Sequence, residues 1–173
     1  YFSPYGNPQL KDGPEGEYLT DRLTDEVIRY ISEPKEKPFF VYLSYYTVHL
    51  PLQAKAEKIA KYRRKLSRAV PADSSFVKKG ETYHKLVQDI PAYAAMVESL
   101  DENIGRLLDT LHRSGLDERT IVVFTSDNGG MATSNTTRNI PTSNLPLRAG
   151  KGYLYEGGIK VPAIIRWSGH LKG

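Results

Sequence analysis

Apolar positions recur with two different spacings along this chain, and those spacings divide it into helices and strands. Between residues 91 and 114, Tyr93, Met96, Val97, Leu100, Ile104, Leu107, Leu108 and Leu111 return at three- and four-residue intervals. Glu98, Asp101, Glu102, Arg106 and Asp109 fill the remaining positions. This spacing predicts one long amphipathic helix. Pro91 suits its first turn and Gly115 the position just past its end. A shorter stripe, Leu23, Val27 and Ile31, follows Thr20-Asp21, either of which suits a helix cap, and Pro34 stops it. Residues 53–67 read as a third helix, exposed, basic and weakly capped. Its Lys61, Arg63, Arg64 and Lys65 read as a solvated face rather than a polyanion patch.

The strand signals are shorter. Phe39-Phe40-Val41-Tyr42-Leu43-Ser44 is a continuous apolar and aromatic run after Pro38, which predicts a strand covered on both faces. Thr120 to Phe124 predicts a second strand. Val161 to Trp167 predicts a third, with Pro162 confining it to an edge or to its first residues. Residues 1–17 are rich in Gly, Pro and Tyr and read as an irregular surface loop. Residues 68–82, with Pro71, Asp73, Ser74, Ser75 and Gly80, read as another. Strand, helix and strand in this order imply an α/β fold with a parallel, right-handed crossover. Ligands in such sheets gather outside the carboxyl ends of strands, and His49 and Asp127 each follow such an end.

Composition adds bounds more than identity. The chain has 173 residues, enough for one domain with a core, and a modest net charge of +4 that lends slight support to an anionic partner. It has no cysteine, which excludes disulfides within the chain, zinc-thiolate sites and thiol catalysis. No apolar run reaches the ~20 residues that cross a bilayer, and no internal repeat is present.

Candidate chemistry concentrates in three blocks. Asp127-Asn128, ahead of Gly129-Gly130, offers two hard oxygen donors that suit Ca²⁺ or Mg²⁺. The same Asp-Asn-Gly is also ordinary turn chemistry. Lys151 stands between Gly150 and Gly152, where little bulk blocks an approaching anion; its other reading is a solvated loop lysine. The spacing around it is not that of a phosphate-binding P-loop. His49, in Thr47-Val48-His49-Leu50-Pro51, is either a satisfied strand-end histidine or a hydrogen-bond and proton donor. Glu156-Gly157-Gly158 reads as structural, with Glu156 orienting Lys151 or a neighbouring loop. Arg148 reads equally as a second anion contact or a surface residue, and Tyr45 and Tyr46 as packing or as stacking platforms.

The three blocks, in this order, resemble the sulfatase family. The likeness runs from about Tyr18 to Gly169. It implies that Asp127 and Asn128 bind a divalent cation, Ca²⁺ or Mg²⁺, and that Lys151 and His49 are catalytic residues that contact the sulfate. It implies a fold similar to alkaline phosphatase, an α/β sandwich with a mixed, largely parallel sheet between helices. It implies hydrolysis of the sulfate ester of a small molecule or glycan, and a periplasmic, secreted or lysosomal location. The family nucleophile is a formylglycine made from Cys or Ser in a C/S-x-P-x-R segment. Neither a cysteine nor Ser-x-Pro-x-Arg occurs in this chain. The family's early Asp-Asp ligands and lysine-histidine pair are absent as well. Residues 1–173 are therefore expected to be the later part of a catalytic domain, inactive alone, with the formylglycine upstream. Two alternatives remain: a phosphoester or phosphonate hydrolase of the same superfamily, and a non-catalytic domain that binds sulfated glycans.

Overall fold

A computed structural model describes residues 1–68 and 75–172. Its elements in chain order are helix α1 (Leu19–Ser32), helix α2 (Ala56–Leu66), strands β1 (Phe76–Lys79) and β2 (Thr82–Lys85), and helix α3 (Pro91–Arg113). A short 3₁₀ turn (Asp117–Arg119), β3 (Val122–Thr125), β4 (Thr133–Ser134), α4 (Glu156–Ile159) and β5 (Ala163–Arg166) complete them.

Helix α3 is the axis of the fold. It begins at Pro91, whose missing N–H costs nothing in the first turn, and Gly115 follows its end at φ +66°. Its buried positions are Ala95, Met96, Ser99, Asn103 and Leu111. Small residues at 95 and 99 let α1 and α2 approach closely, and both pack on α3. The expected stripe is thus displaced: Val97 is exposed, while Leu100, Ile104, Leu107 and Leu108 are half-buried. Ala54, Ala95 and Met96 form the centre of the core, with Tyr1, Val48, Leu52, Ile59 and Tyr62 against it.

Helix α1 forms where its stripe predicts but without the expected cap. Tyr18 occupies the N-cap position, and no side chain caps the helix. Tyr18 is buried, its ring stacked on Tyr1 and tilted against Phe2. That aromatic cluster closes residues 1–18 on themselves through the bridge between Phe2 and Tyr18. Helix α2 also departs from expectation. Lys58 is buried rather than solvated, with its Nζ 2.9 Å from Glu98 Oε1 and in contact with Glu102. Lys61 Nζ reaches Glu98 Oε2 at 3.0 Å. The basic face of α2 is the partner of the acidic face of α3.

The sheets differ most from the sequence expectation. Among the described residues all ladders are antiparallel: β1-β2-β4 form one sheet and β3-β5 the other. No parallel crossover forms, because Phe39–Ser44, the expected partner of β3, is extended but pairs with no described strand. Nor is it covered on both faces. Its residues alternate half-buried and exposed, with Phe40 88% and Tyr42 83% accessible. Ile121, Val123, Ile164 and Ile165, on and beside β3 and β5, are exposed as well, and in β5 the exposure is continuous over Ala163, Ile164 and Ile165. The β1-β2 hairpin lies where a loop was expected. Its two-residue connection, Gly80-Glu81, places Gly80 at φ +58°, the left-handed region that glycine adopts without steric cost. Pro71, Asp73 and Ser74, also read as loop, lie outside the described residues. β5 is an edge strand after Pro162, as expected. Its last residue, Arg166, pairs with Asp117: Nη2 donates to Oδ2 at 2.9 Å, and Nη1 lies 2.7 Å from Oδ1.

The α2–α3 ion cluster predicts an acid response. The ammonium of Lys58 holds the Glu98 carboxyl at about 2, below its ordinary 4.5; burial opposes the shift, and Lys61 and the Tyr62 hydroxyl add to it. A group depressed in this way stabilises the fold above the ordinary value and loses that contribution as pH falls toward 2. Thermal melts followed by circular dichroism should show Tm falling more steeply between pH 4.5 and pH 2 in the wild type than in Glu98→Gln. Parallel slopes would remove the cluster from the acid response.

Candidate active site

Two glycine-lined loops meet backbone to backbone and create the site. The first leaves β3 as Ser126-Asp127-Asn128-Gly129-Gly130; the second is Arg148 to Gly158. Gly129 N donates to Gly158 O at 2.9 Å, Lys151 N to Gly130 O at 3.0 Å, and Gly157 N to Arg148 O at 2.8 Å. The approach leaves no room for side chains. A Cβ on Gly129 would lie 1.8 Å from Gly157 O, one on Gly150 2.4 Å from Gly130 O, and one on Gly157 2.2 Å from Ala149 O. These contacts lie far inside any real Cβ contact, so glycine is required at all three positions.

Asn144 locks the junction. Its Nδ2 lies 2.8 Å from Gly130 O, 2.9 Å from Gly157 O and 3.2 Å from Ala149 O. One amide with two protons thus serves carbonyls of both loops. Only contacts distant in sequence reveal this role, and the local Thr-Ser-Asn-Leu-Pro context reads as an ordinary turn.

His49 arrives from a different direction. The chain leaves the extended run 39–46, turns at Thr47-Val48 and presents His49 at the surface. Tyr1 fixes the turn: its hydroxyl sits 2.7 Å from Tyr46 O and 2.8 Å from His49 O. Burial, together with the nearby Tyr18 phenol, pushes the Tyr1 phenol up to about 12, although the bond to His49 pulls the other way. Tyr1 therefore remains a neutral donor at ordinary pH.

The side chains of His49 and Lys151 meet across 102 residues of sequence, with Nε2 and Nζ 2.9 Å apart. His49 Nδ1 lies 3.0 Å from Leu50 O. An ammonium can only donate, so Nε2 accepts and the imidazole proton sits on Nδ1, directed at Leu50 O. The pair presents cationic and hydrogen-bonding groups at one place, which is what an oxyanion requires.

Asp127 and Asn128 follow the carboxyl end of β3, on the loop whose Gly130 carbonyl accepts from Lys151 N. Asp127 is exposed and makes no hydrogen bond or ion pair among the described residues. Asn128 spends its Nδ2 on Gly129 O at 2.9 Å, which leaves Oδ1 as an acceptor. Two hard oxygens with free lone pairs fit part of a Ca²⁺ or Mg²⁺ shell. No cluster of three or more His, Asp or Glu is present among the described residues, so these two would not suffice alone.

The other candidates have plainer roles. The Arg148 guanidinium lies over the Tyr155 ring at 3.6 Å from its centroid. Glu156 opens α4 and makes no side-chain bond to Lys151. Tyr45 hydrogen-bonds Thr24 at 2.7 Å and is a packing residue, whereas Tyr46 is 60% accessible.

Comparison with known proteins adds the remaining observations. A family model described as Sulfatase matches residues 1–173. A sulfatase of Formosa agariphila is 36% identical over 94% of this chain, which spans 27% of that protein. Steryl-sulfatase of Mus musculus is 33% identical over 88% of the chain, which spans 21% of it. The crystal structure of Ps i-CgsB in complex with k-i-k-neocarrahexaose superposes with a TM-score of 0.69 at 33% identity, over 92% of this chain and 30% of that one. The chain therefore spans about a quarter of the length of these relatives.

The junction yields its own prediction. Asn144→Ala leaves carbonyls of both loops without their shared donor, at an expected cost on the order of 1–3 kcal/mol. Calorimetry of the complete protein should show a lowered Tm. Gly157→Ala should lower it further, because the new Cβ meets backbone rather than a yielding side chain. A Gly157→Ala protein as stable as wild type would mean the loops are not held in this contact.

Proposed function

Because this chain belongs to the sulfatase family, we propose that the complete protein hydrolyses sulfate esters, with His49 and Lys151 on the sulfate and Asp127 and Asn128 on a divalent cation. The observation that carries this reading is the 2.9 Å contact between Lys151 Nζ and His49 Nε2, beside the Asp127 loop. Lys151 and His49 meet from separate segments, and the backbone bond from Lys151 to Gly130 of the loop that carries Asp127 and Asn128 supports counting those two residues in the same site.

Each group has a task that its chemistry permits. Lys151 offers N–H groups to a sulfate oxygen and offsets the negative charge that builds on the ester as the S–O bond breaks. Its backbone is held by Gly130, so the ammonium is positioned before the substrate arrives. His49 Nε2, which accepts from Lys151 before substrate binds, would have to take up a proton first and could then donate it to the ester oxygen as the alcohol departs, while Nδ1–H stays on Leu50 O. A Ca²⁺ or Mg²⁺ ion on Asp127 and Asn128 would supply charge neutralisation to the sulfate. The nucleophile belongs to none of these residues. These 173 residues hold no cysteine and no Ser-x-Pro-x-Arg segment from which a formylglycine is made.

The alcohol half of the substrate does not follow from kinship. One relative is named for steryl sulfates and another is bound to k-i-k-neocarrahexaose, at the same 33% identity. A sulfated small molecule and a sulfated glycan both remain within the proposal.

Kinetics on the complete protein test the assignments. Lys151→Ala should lower kcat/KM for an aryl sulfate by about 10²–10³-fold, the range for losing one oxyanion-stabilising donor. Asp127→Ala should instead weaken cation affinity, so that added Ca²⁺ restores part of the rate. Near wild-type kcat/KM in Lys151→Ala would return that residue to a solvated loop. An Asp127→Ala defect that persists at full metal content would remove it from the ligand set. Residues 1–173 on their own should release no product from an aryl sulfate; purified turnover by that piece would overturn the placement of the nucleophile elsewhere.

A further inference from the structure

Helix α1 buries two hydroxyls where an apolar stripe was expected. Thr20 and Thr24 are 2% and 0% accessible, whereas Leu23 and Val27 are only half-buried. A buried hydroxyl costs stability unless it is hydrogen-bonded, and threonine is no better a helix former than valine. Both hydroxyls meet the segment that leads to His49. Thr20 Oγ1 lies 2.6 Å from Thr47 Oγ1. Thr24 Oγ1 donates to Thr20 O at 2.8 Å, so the Tyr45 phenol is the donor in its 2.7 Å contact with Thr24. The Tyr1 hydroxyl, on Tyr46 O and His49 O, completes the set.

The spacing of the pairs matches. Four residues of helix rise about 6 Å, and two residues of extended chain advance about 6.6 Å. Thr20 and Thr24 therefore meet Thr47 and Tyr45 rung for rung. The helix is itself anchored beside Thr20. Asn103 of α3, buried, donates Nδ2 to Asp21 Oδ1 at 2.8 Å, and Lys55 Nζ lies 2.5 Å from Asp21 Oδ2. Burial raises the Tyr18 phenol, and the Thr20 and Thr47 hydroxyls pull it back. Tyr18 in turn donates to Gln53 O at 2.9 Å, on the far side of the His49 turn. A path of bonded groups thus runs from α3 through α1 to Thr47, two residues before His49. The two members of the His49–Lys151 contact have separate supports: the glycine junction holds Lys151, and this hydroxyl ladder holds His49.

We propose that Thr20 and Thr47 are positioning residues for His49. Their shared hydrogen bond sets the place of the imidazole against the Lys151 ammonium, and with it the alignment of His49 on the ester oxygen. The last clause rests on the sulfate-ester reading of the site. Neither threonine touches the substrate. Each acts through His49, whose ring turns on a neighbouring carbonyl, Leu50 O, but whose main chain is located by residues 45–47.

Thr20→Val removes the hydroxyl and keeps the shape. Two measurements on the complete protein test it. The first needs no substrate: ¹⁵N NMR of the His49 ring, assigned by its loss in His49→Gln. Thr20→Val should move the Nε2 resonance toward its position in Lys151→Ala, and Thr20→Ser, which keeps the hydroxyl, should leave it in place. Ile31→Val, buried on the same helix but with no hydrogen-bonding side chain, should lower Tm and leave Nε2 unmoved. The second is kinetic. An alkyl sulfate needs a proton on its leaving oxygen far more than 4-nitrophenyl sulfate does. Thr20→Val should lower kcat for cyclohexyl sulfate about ten-fold with KM within about two-fold, and kcat for 4-nitrophenyl sulfate less than about three-fold. On a His49→Gln background the same change should have no further effect. An Nε2 resonance unmoved in Thr20→Val overturns the proposal, as does an equal loss on both esters or an additive loss with His49→Gln. If Thr20→Val does not fold, Thr20→Ala against Thr20→Ser, which differ only by the hydroxyl, carries the same comparison. A resonance that moves in a protein that hydrolyses neither ester upholds the positioning pair and sinks the hydrolase reading.

Discussion

The contact between the backbones of two glycine loops is the constraint on which the site depends. Carbonyls and amides of residues 129–130 and 148–158 bond directly, at distances that exclude any Cβ at Gly129, Gly150 or Gly157. The arrangement fixes Lys151 by its main chain, so its long side chain starts from a defined point. It also ties the main chain of Lys151 to the loop that carries Asp127 and Asn128. Asn144 adds a side-chain donor at the centre of the junction, to Gly157 O and to Gly130 O, the latter already accepting from the Lys151 amide.

Charge is used in two opposite ways. Where the fold needs cohesion, acid and base are paired: Lys58 with Glu98 and Glu102, Arg166 with Asp117, Lys85 with Asp89. At the candidate site they are left open. Asp127 has no partner among the described residues, and Lys151 meets only a neutral ring nitrogen. Unspent charge at one place costs stability; the paired clusters on the helices offset that cost elsewhere.

Legibility in the sequence followed the range of the interactions involved. Helix α3 was readable because its period, its Pro91 start and its Gly115 stop are local features. The β1-β2 hairpin was readable in principle from Gly80 between two short runs, but polar Lys78, Lys79 and Thr82 masked the alternation. Phe39–Ser44 shows the limit of composition. Its residues favour an extended chain, and it is extended, yet a ladder also needs a neighbour, which no residue within the run can specify. The buried state of Lys58 needed knowledge of Glu98 and Glu102, 40 and 44 residues away. Within the site, His49, Asp127 and Lys151 stood out through motif order. Asn144 did not, since its value lies wholly in three carbonyls brought to it by the fold.

The exposed row on residues 39–46 bears on how this chain behaves in concentrated solution. A segment that pairs with no described strand and turns Phe40 and Tyr42 outward is a template on which another copy can dock by strand addition, the first step toward cross-β assembly. The sequence carries its own protection just before it. Glu33, Lys35, Glu36 and Lys37 set charges beside the run, and Pro38 withholds an amide donor at its start. Colloidal behaviour at high concentration is governed by the balance between those gatekeepers and the aromatic row, and net charge close to zero at alkaline pH would tip it toward precipitation.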